Sequence, residues 1–436
     1  MSRVTANAAY PPVRAIGLDR TRPADTLVRS VLIAAVFLSL WLSFHPFSSL
    51  AEPPEVTEAG NLVNQLGYSA LFGLLAAWCL FHQPSRLLIL IRPIFVVTVL
   101  WLALTVVTSW DPSLSARRFA YALVTIGIAG MVLLLPRNPR HFSDVMAVVV
   151  LIVLIACYLG VIFLPTLSIH QATDVLEPEL AGDWRGAFGH KNEASAAMAL
   201  FVFFGLFVGR MRSFGLGGLI VALALPFLYF THSRTALAAM LLAYAMSLLV
   251  VGIRRPWVGI SLALSVLIAL NVVSIGSIYI APVRAVVDAV MSDPTFTGRT
   301  EIWKFASDHV AQRPITGYGF ATFWGTAQVV YGMSGTTWAN TAGHAHNGYL
   351  DLALTTGIPG SVLVTLWLII VPLVDYYRCP RQPFGAPLAV LFVRVCLFAA
   401  YESCFETMFT QVGGLWLMLI AAAFGLRYLA VARLTA

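Results

Sequence analysis

Three short stretches of this chain hold the residue types that do chemistry, each mixing cations, imidazoles and small residues. The first, Trp184-Arg185-Gly186-Ala187-Phe188-Gly189-His190-Lys191-Asn192, sets two positive charges beside two glycines that permit close backbone approach. The second is His232-Ser233-Arg234, whose guanidinium matches phosphate geometry through two parallel hydrogen bonds. The third, Gly343-His344-Ala345-His346-Asn347-Gly348, supplies imidazole, which near neutral pH can take a proton from an alcohol. Cations gripping an anionic leaving group, with a base that readies an alcohol, would serve group transfer. Plainer readings stand beside this: a polar re-entrant turn for the first stretch, a surface histidine for the third. The His344/His346 pair hints at a metal, but no outer cysteine or paired carboxylates complete a site. Neither metal nor cofactor is expected.

The elements that must position these residues are built for lipid. Of 436 residues, 59% are hydrophobic and 11% charged, against about 25% charged in a soluble domain. The mean hydropathy is +0.83. This excludes a water-soluble multidomain enzyme, a disordered chain and a disulfide-stapled secreted one. The net charge of +7 is read as arginines on cytoplasmic loops rather than as a nucleic-acid surface; no nucleic-acid partner is expected. Four cysteines (Cys79, Cys157, Cys396, Cys404) sit in apolar runs and Cys379 in a short basic loop, without a C-x-x-C, so no disulfide or zinc is expected.

Crossing about 30 Å of hydrocarbon takes roughly 20 apolar residues. That ruler predicts an all-α polytopic membrane protein with about twelve spans, near residues 28–45, 62–81, 87–109, 116–136, 143–164, 193–209, 214–231, 235–252, 257–281, 347–374, 387–410 and 412–432. Arg3, Arg14, Arg20, Arg22 and Arg29 hold the N-terminal tail in the cytoplasm. Alternate loops then carry Arg86, Arg137 with Arg140, Arg210 with Arg212, Arg254 with Arg255, and Arg378 with Arg381; Arg427 and Arg433 close the series. The first outer loop, His45 to Asn61, has Glu52, Glu55 and Glu58 and no base. Both termini are therefore expected in the cytoplasm. Ser49-Leu50-Ala51 loosely mimics a signal cleavage site, but an uncleaved anchor is preferred.

The chain divides into a tail (1–27), spans one to nine (28–280), an outer loop or cap (281–346) and the last three spans with the C-terminus (347–436). The loop is too long for a plain connector. Within it Thr300 to Val310 can form an amphipathic helix, with Ile302, Trp303, Phe305, Ala306 and Val310 on one face. Arg313-Pro314 stops that helix and Gly317-Tyr318-Gly319 turns the chain. Basic residues remain on the outer side: Arg117, Arg118, Arg185, Lys191, Arg234, Arg284, Arg299, Lys304 and Arg313. Snorkelling anchors account for some, Arg117, Arg118 and Arg284 foremost. Arg185, Lys191 and Arg234 instead sit among Gly, His and Ser. The first cluster also lies at the N-terminus of the sixth span, where free N–H groups favour an anion.

Together the clusters resemble the bacterial O-antigen ligase and O-antigen polymerase superfamily. His346-Asn347, nine residues, Gly357, two residues, Gly360 fits that family's H-[NSQ]-x9-G-x-x-[GTY] pattern. Arg185 and Arg234 are similar to the two arginines the family places in separate outer loops. Thr297-Gly298-Arg299-Thr300-Glu301-Ile302-Trp303 and Pro314-Ile315-Thr316-Gly317-Tyr318-Gly319 are similar to its signature ahead of the histidine. The resemblance covers residues 184 to 360. It implies a metal-independent, inverting glycosyltransferase on the periplasmic face of the inner membrane, with a glycan on undecaprenyl diphosphate as donor. It implies His346, Arg185 and Arg234 as catalytic residues, and Lys191, Arg299, Asn347, Tyr318 and His344 in diphosphate or glycan binding. The acceptor is either another repeat unit, for a polymerase, or lipid A core, for a ligase. The Arg-Gly-x-Phe-Gly-His-Lys-Asn string resembles succinoglycan-type exopolysaccharide polymerases, which favours the former. A chain-length regulator and membrane lipids are the other partners implied.

Two rivals come from other classes. A lipid-linked sugar flippase or transporter would carry functional charges at membrane depth in several spans. The clear intramembrane charges, Arg394, Glu402 and Glu406, lie in the eleventh span alone, the two glutamates toward its outer end where they could pair with arginines. A scaffold with a solvated outer loop is the other; its surface polysaccharide would not depend on Arg185, Arg234 or His346.

Overall fold

The computed structural model describes residues 23–44, 46–50, 62–175, 177–291, 293–330, 339, 342–379, 386–409 and 413–431. Arg3, Arg14, Arg20, Arg22, Arg381, Arg433, Ala51 and most of the acidic first outer loop lie outside the described residues. The described regular structure is helical throughout, with one isolated antiparallel bridge between Ile169 and Trp184. That is what lipid demands, because a helix satisfies its backbone polar groups within one segment.

Before the first cluster come α1 (Pro23–Leu42), α2 (Leu62–His82), α3 (Pro93–Val107), α4 (Pro112–Val132) and α5 (Pro139–Phe163). Then follow α6 (Lys191–Met211), α7 (Phe214–Phe230), α8 (Arg234–Gly252) and α9 (Pro256–Ser274). The cap contributes α10 (Ala281–Val290) and α11 (Arg299–Gln312). After it run α12 (Gly348–Thr365), α13 (Val371–Arg378), α14 (Ala386–Glu402) and α15 (Gly414–Val431). Local chemistry sets many of the starts. Proline opens α3, α4, α5 and α9, where its fixed φ suits the first turn and its missing N–H costs nothing. Asp111, Asn138 and Asn347 cap their helices by accepting from the next turn.

Among the described residues eight helices are long and apolar enough to cross a membrane. The count is nine if Pro84–Leu90 and Pro93–Val107, bent by 77°, form one broken span. Each of the twelve expected segments coincides with helix, but length and composition qualify fewer of them. At 17 residues, α7 and α14 are short of a full crossing. The eleventh segment also ends earlier than expected: α14 stops at Glu402, which leaves Glu406 in the loop beyond it.

The protein is an all-α, multi-pass membrane protein with α6 and α15 at its centre, most of each buried, while α2 and α9 turn most of their surface outward. Glycines allow α6 and α7 to approach closely: a Cβ on Gly217 would lie 2.4 Å from the Gly205 carbonyl oxygen. Arg394 in α14 lies 5.0 Å over the Tyr244 ring and donates to Ser247. A packing partner thus accounts for that intramembrane charge.

The sharpest irregularity is in α12. Gly357 has φ 73° and ψ 169°, a region open essentially to glycine alone. In an unbroken helix the Ile358 N–H would serve the Leu354 carbonyl, and Pro359 has no N–H to give Thr355. The cap replaces both bonds. Tyr318 N donates to Leu354 O (3.0 Å), Gly319 N to Thr355 O (2.9 Å), and Ile358 N turns to Pro314 O (2.8 Å). A Cβ on Gly357 would sit 1.8 Å from the Ile315 carbonyl oxygen. The proline–glycine signature of the outer loop is therefore the plug for the break in α12.

Over that plug the cap has its own core. Ile302, Trp303 and Ala306 of α11 pack with Tyr318, Phe323 and Trp324, and with Leu350 and Leu354 of α12. Of the expected apolar face, Phe305 and Val310 lie at its margin.

Candidate active site

His346 sits one residue before the N-cap of α12, with φ 49°. Its neighbour fixes it there. Asn347 is fully buried; its Oδ1 accepts from Tyr349 N and Leu350 N, and its Nδ2 donates to Cys404 O (2.8 Å) and Asn271 Oδ1 (3.3 Å). All four bonds go to the scaffold, so Asn347 locks the joint between α12 and the end of α14. Asp351 adds a second tie, accepting from Trp324 Nε1 (2.6 Å) and Ala345 N (3.2 Å).

The His346 imidazole meets a carboxylate. Nδ1 lies 3.1 Å from Glu406 Oε2, and an ionised carboxylate only accepts, so Nδ1 carries the hydrogen and Nε2 keeps its lone pair. Glu406 is itself well held. Its Oε1 accepts from Arg299 (2.6 Å) and from Asn192 Nδ2 (2.8 Å), while Arg299 also donates to the Phe405 carbonyl. Burial alone would raise the Glu406 pKa, but Arg299 and His346 outweigh it and hold the carboxyl well below its ordinary range. The His344 ring lies tilted close by, 4.0 Å between ring centroids, and its Nδ1 accepts from His346 N (3.2 Å). Burial, aided by His346, pushes that imidazole down to about 3, which keeps it neutral. The ligand atoms of His344, His346 and Glu406 lie within 4.8 Å of one another, a spacing a metal ion could bridge. The guanidinium on Glu406 works against a second cation there.

The loop before α6 extends the network. His190 caps α6 through Nδ1, which accepts from Asn192 N (3.1 Å), and its Nε2–H donates to Glu177 (2.8 Å). That hydrogen bond holds the Glu177 carboxyl below its ordinary range. His170 follows the same logic, with Nδ1 on Asp174 (3.1 Å) and Nε2 accepting from Lys191 N (3.3 Å). The α6 N-terminus is therefore less open than the sequence suggests: two of its first N–H groups already have imidazole partners.

The remaining cations divide between scaffold and surface. Lys191 Nζ lies 2.5 Å from Asp183, which also binds His232 Nδ1 at 2.5 Å. The first two motifs thus meet on one carboxylate. Arg234 opens α8 two residues on; it is exposed and has no ion-pair partner among the described residues. Arg185 is only 1% exposed and donates to the carbonyls of Ser48 (2.7 Å) and Phe188 (3.2 Å), leaving Nε without a partner. The Tyr318 ring is buried between Trp110 and Phe323, with Arg313 4.9 Å over its face. The structure thus joins His344, His346 and Arg299 into one bonded network through Glu406, with Asn347 holding the joint beside it and Lys191 in a separate cluster on Asp183. It places Tyr318 in the cap core and Arg185 in the scaffold beneath the loop.

Sequence reasoning singled out the cations and, for their counter-charges, offered only Glu402 and Glu406, of which Glu406 meets Arg299. Asp183, Glu177 and Asn192 are ordinary loop residues in the sequence, and nothing local marks them as partners. Glu406 carried a signal, a carboxyl at the outer end of an apolar segment.

An all-helical membrane protein with an imidazole–carboxylate–guanidinium triad at one rim is the class that fold and site define. Residues 219–365 match the family model described as O-antigen ligase. The chain is also similar to the exopolysaccharide production protein ExoQ of Rhizobium meliloti (strain 1021), 25% identical over 205 residues. That alignment covers 42% of this chain and 45% of the relative. Together the two matches support assignment to the O-antigen ligase and polymerase family. The family-model match includes Arg234, Arg299, Tyr318, His344, His346 and Asn347, whereas Arg185, Lys191, Asn192 and Glu406 lie outside it.

Proposed function

We propose that this protein is an inner-membrane glycosyltransferase that moves a glycan from undecaprenyl diphosphate to a sugar hydroxyl on the periplasmic face, joining exopolysaccharide or O-antigen repeat units. The observation that carries this reading is His346 donating through Nδ1 to Glu406, with Arg299 on the same carboxylate. That leaves Nε2 as the one basic nitrogen of the triad open to an incoming alcohol. The acceptor hydroxyl gives its proton to Nε2 as its oxygen bonds to the anomeric carbon. The bond from that carbon to the diphosphate oxygen breaks, and the lipid diphosphate leaves with the electron pair and inversion at carbon. Arg234 and Lys191 stabilise charge growing on the diphosphate, and so would Arg185 if substrate drew it off its carbonyls; such charge stabilisation is often the largest catalytic contribution. Glu406 is a positioning residue, since it acts through His346. Resemblance to ExoQ, named for exopolysaccharide production, favours the polymerase reading.

A ligase passing the glycan to lipid A core is the second reading, favoured by the description of the matching family. The test is reconstitution of the full chain with a lipid-linked repeat unit, alone or with lipid A core. A ladder of lengthened glycans means polymerase, and a single transfer to core means ligase. His346→Ala should abolish product while the protein stays in the membrane; undiminished product from that variant would end the assignment.

A further inference from the structure

At the end of the bundle away from His346 lies a cavity that the chemistry above does not use. It has a volume of about 780 Å³, open space at its mouth included, and opens where α4 meets α5 and where α14 and α15 pass the turn after α2. Arg86 and Arg137 stand on its wall beside the Tyr428 ring, and Leu133, Phe392 and Leu429 supply apolar surface. No carboxylate is among the described residues lining it. Described acids of this end are engaged elsewhere: Asp25 with Arg29 (2.9 Å), Asp144 with Arg212 (3.3 Å) and Asp375 with Arg92 (2.6 Å). The half-buried Arg86 guanidinium has no ion pair among the described residues. A guanidinium partly withdrawn from water, as that of Arg86 is, is costly without an anion beside it, and with the exposed Arg137 at the same apolar floor it matches an anionic group on an alkyl chain.

We infer that this cavity holds the phosphate of an anionic glycerophospholipid between Arg86 and Arg137, with an acyl chain along Leu133, Phe392 and Leu429. Arginine suits phosphate through paired hydrogen bonds, and basic pockets between spans on the arginine-rich side are where anionic headgroups gather. A ligand bound only by the folded state raises the unfolding temperature by mass action.

The experiment titrates the purified full chain in detergent with dioctanoyl phosphatidylglycerol, dioctanoyl phosphatidylcholine or inorganic phosphate, following thermal unfolding. Phosphatidylglycerol should give a saturable upward shift that the other two do not. In Arg86→Gln/Arg137→Gln its Kd should weaken about tenfold or more, the loss of charge-assisted bonds to one phosphate. Arg254→Gln, an exposed arginine at the same end, should leave it unchanged. If the double variant does not fold, rising salt on the unmodified protein gives the same reading, since only an ionic site weakens the phosphatidylglycerol shift. Equal shifts from both lipids, a matching shift from phosphate alone, no shift from phosphatidylglycerol, or a salt- and arginine-independent Kd would each overturn the inference. None of these outcomes depends on glycosyl transfer.

Discussion

In the proposed mechanism the chemistry at His346 turns on which nitrogen carries the hydrogen, and the bond to Glu406 sets it. Glu406→Gln can present its amide N–H to Nδ1 and so favour the wrong tautomer. We expect kcat to fall by roughly 10²-fold or more with KM nearly unchanged, and Glu406→Asp to recover part of the loss. A residue that served packing alone would leave steady-state kcat proportional to the amount of folded enzyme. His344 gives a separate prediction on stability. Its folded-state pKa, about 3, lies below the ordinary 6.5, so the unfolded chain binds the proton first as pH falls. The stability it contributes is present above about 6.5 and is lost as pH drops from there toward 3. Denaturation midpoints measured across that window should show a shallower decline in His344→Asn than in the parent.

Among the elements, the join between α12 and the cap governs where the third motif sits. Gly357 looks in sequence like a helix-breaking glycine near a proline; in the fold it is the opening through which Ile315 and Thr316 pass against α12. Gly357→Ala puts a Cβ in a φ, ψ region that side chains avoid and against a carbonyl at 1.8 Å. We expect a loss of about 3 kcal/mol or more in stability, or a cap that detaches, read out by proteolysis between α11 and α12 and by loss of activity. The motif H-N-x9-G-x-x-G thus has one member in the proposed chemistry and three that build the joint. Asn347 caps α12, Gly357 admits the cap segment, and a Cβ on Gly360 would meet Thr356 Oγ1 at 2.2 Å.

For the molecule as a whole, the two ends differ in chemistry. One end gathers His170, His190, His232, His344 and His346 with their carboxylates; the other gathers Arg86, Arg137, Arg212, Arg254 and Arg378. In the proposed topology, which rests on the positive-inside bias, the second end faces the cytoplasm. In intact spheroplasts, a membrane-impermeant maleimide should label Asp308→Cys on the cap, whereas Arg254→Cys should react only after permeabilisation. The native cysteines give little background, since four are buried and Cys379 is half-buried. Labelling of Arg254→Cys alone from outside would invert the topology and take the proposed periplasmic site with it.

By itself the sequence determined the solvent and the helical class, because 59% hydrophobic residues in runs near the bilayer thickness leave the backbone no other way to satisfy itself. It also marked Arg299, Lys191, Arg234 and His346, since cations and imidazoles on the sparsely basic side of a membrane protein stand out by type. Span lengths were harder, because apolar runs do not record where a helix bends or stops: α14 ends at Glu402 and α3 follows a sharp bend. Only the tertiary structure decided the pairings. Glu406 meets Arg299 across 107 positions and Asn192 across 214, and Asp183 gathers Lys191 and His232 from separate loops. It also separated residues that look alike in sequence, so that Arg185 serves buried carbonyls while Arg234 stays exposed. A hydrogen bond or ion pair depends on distance through space, and spacing along a chain carries that information only within a turn or two of helix.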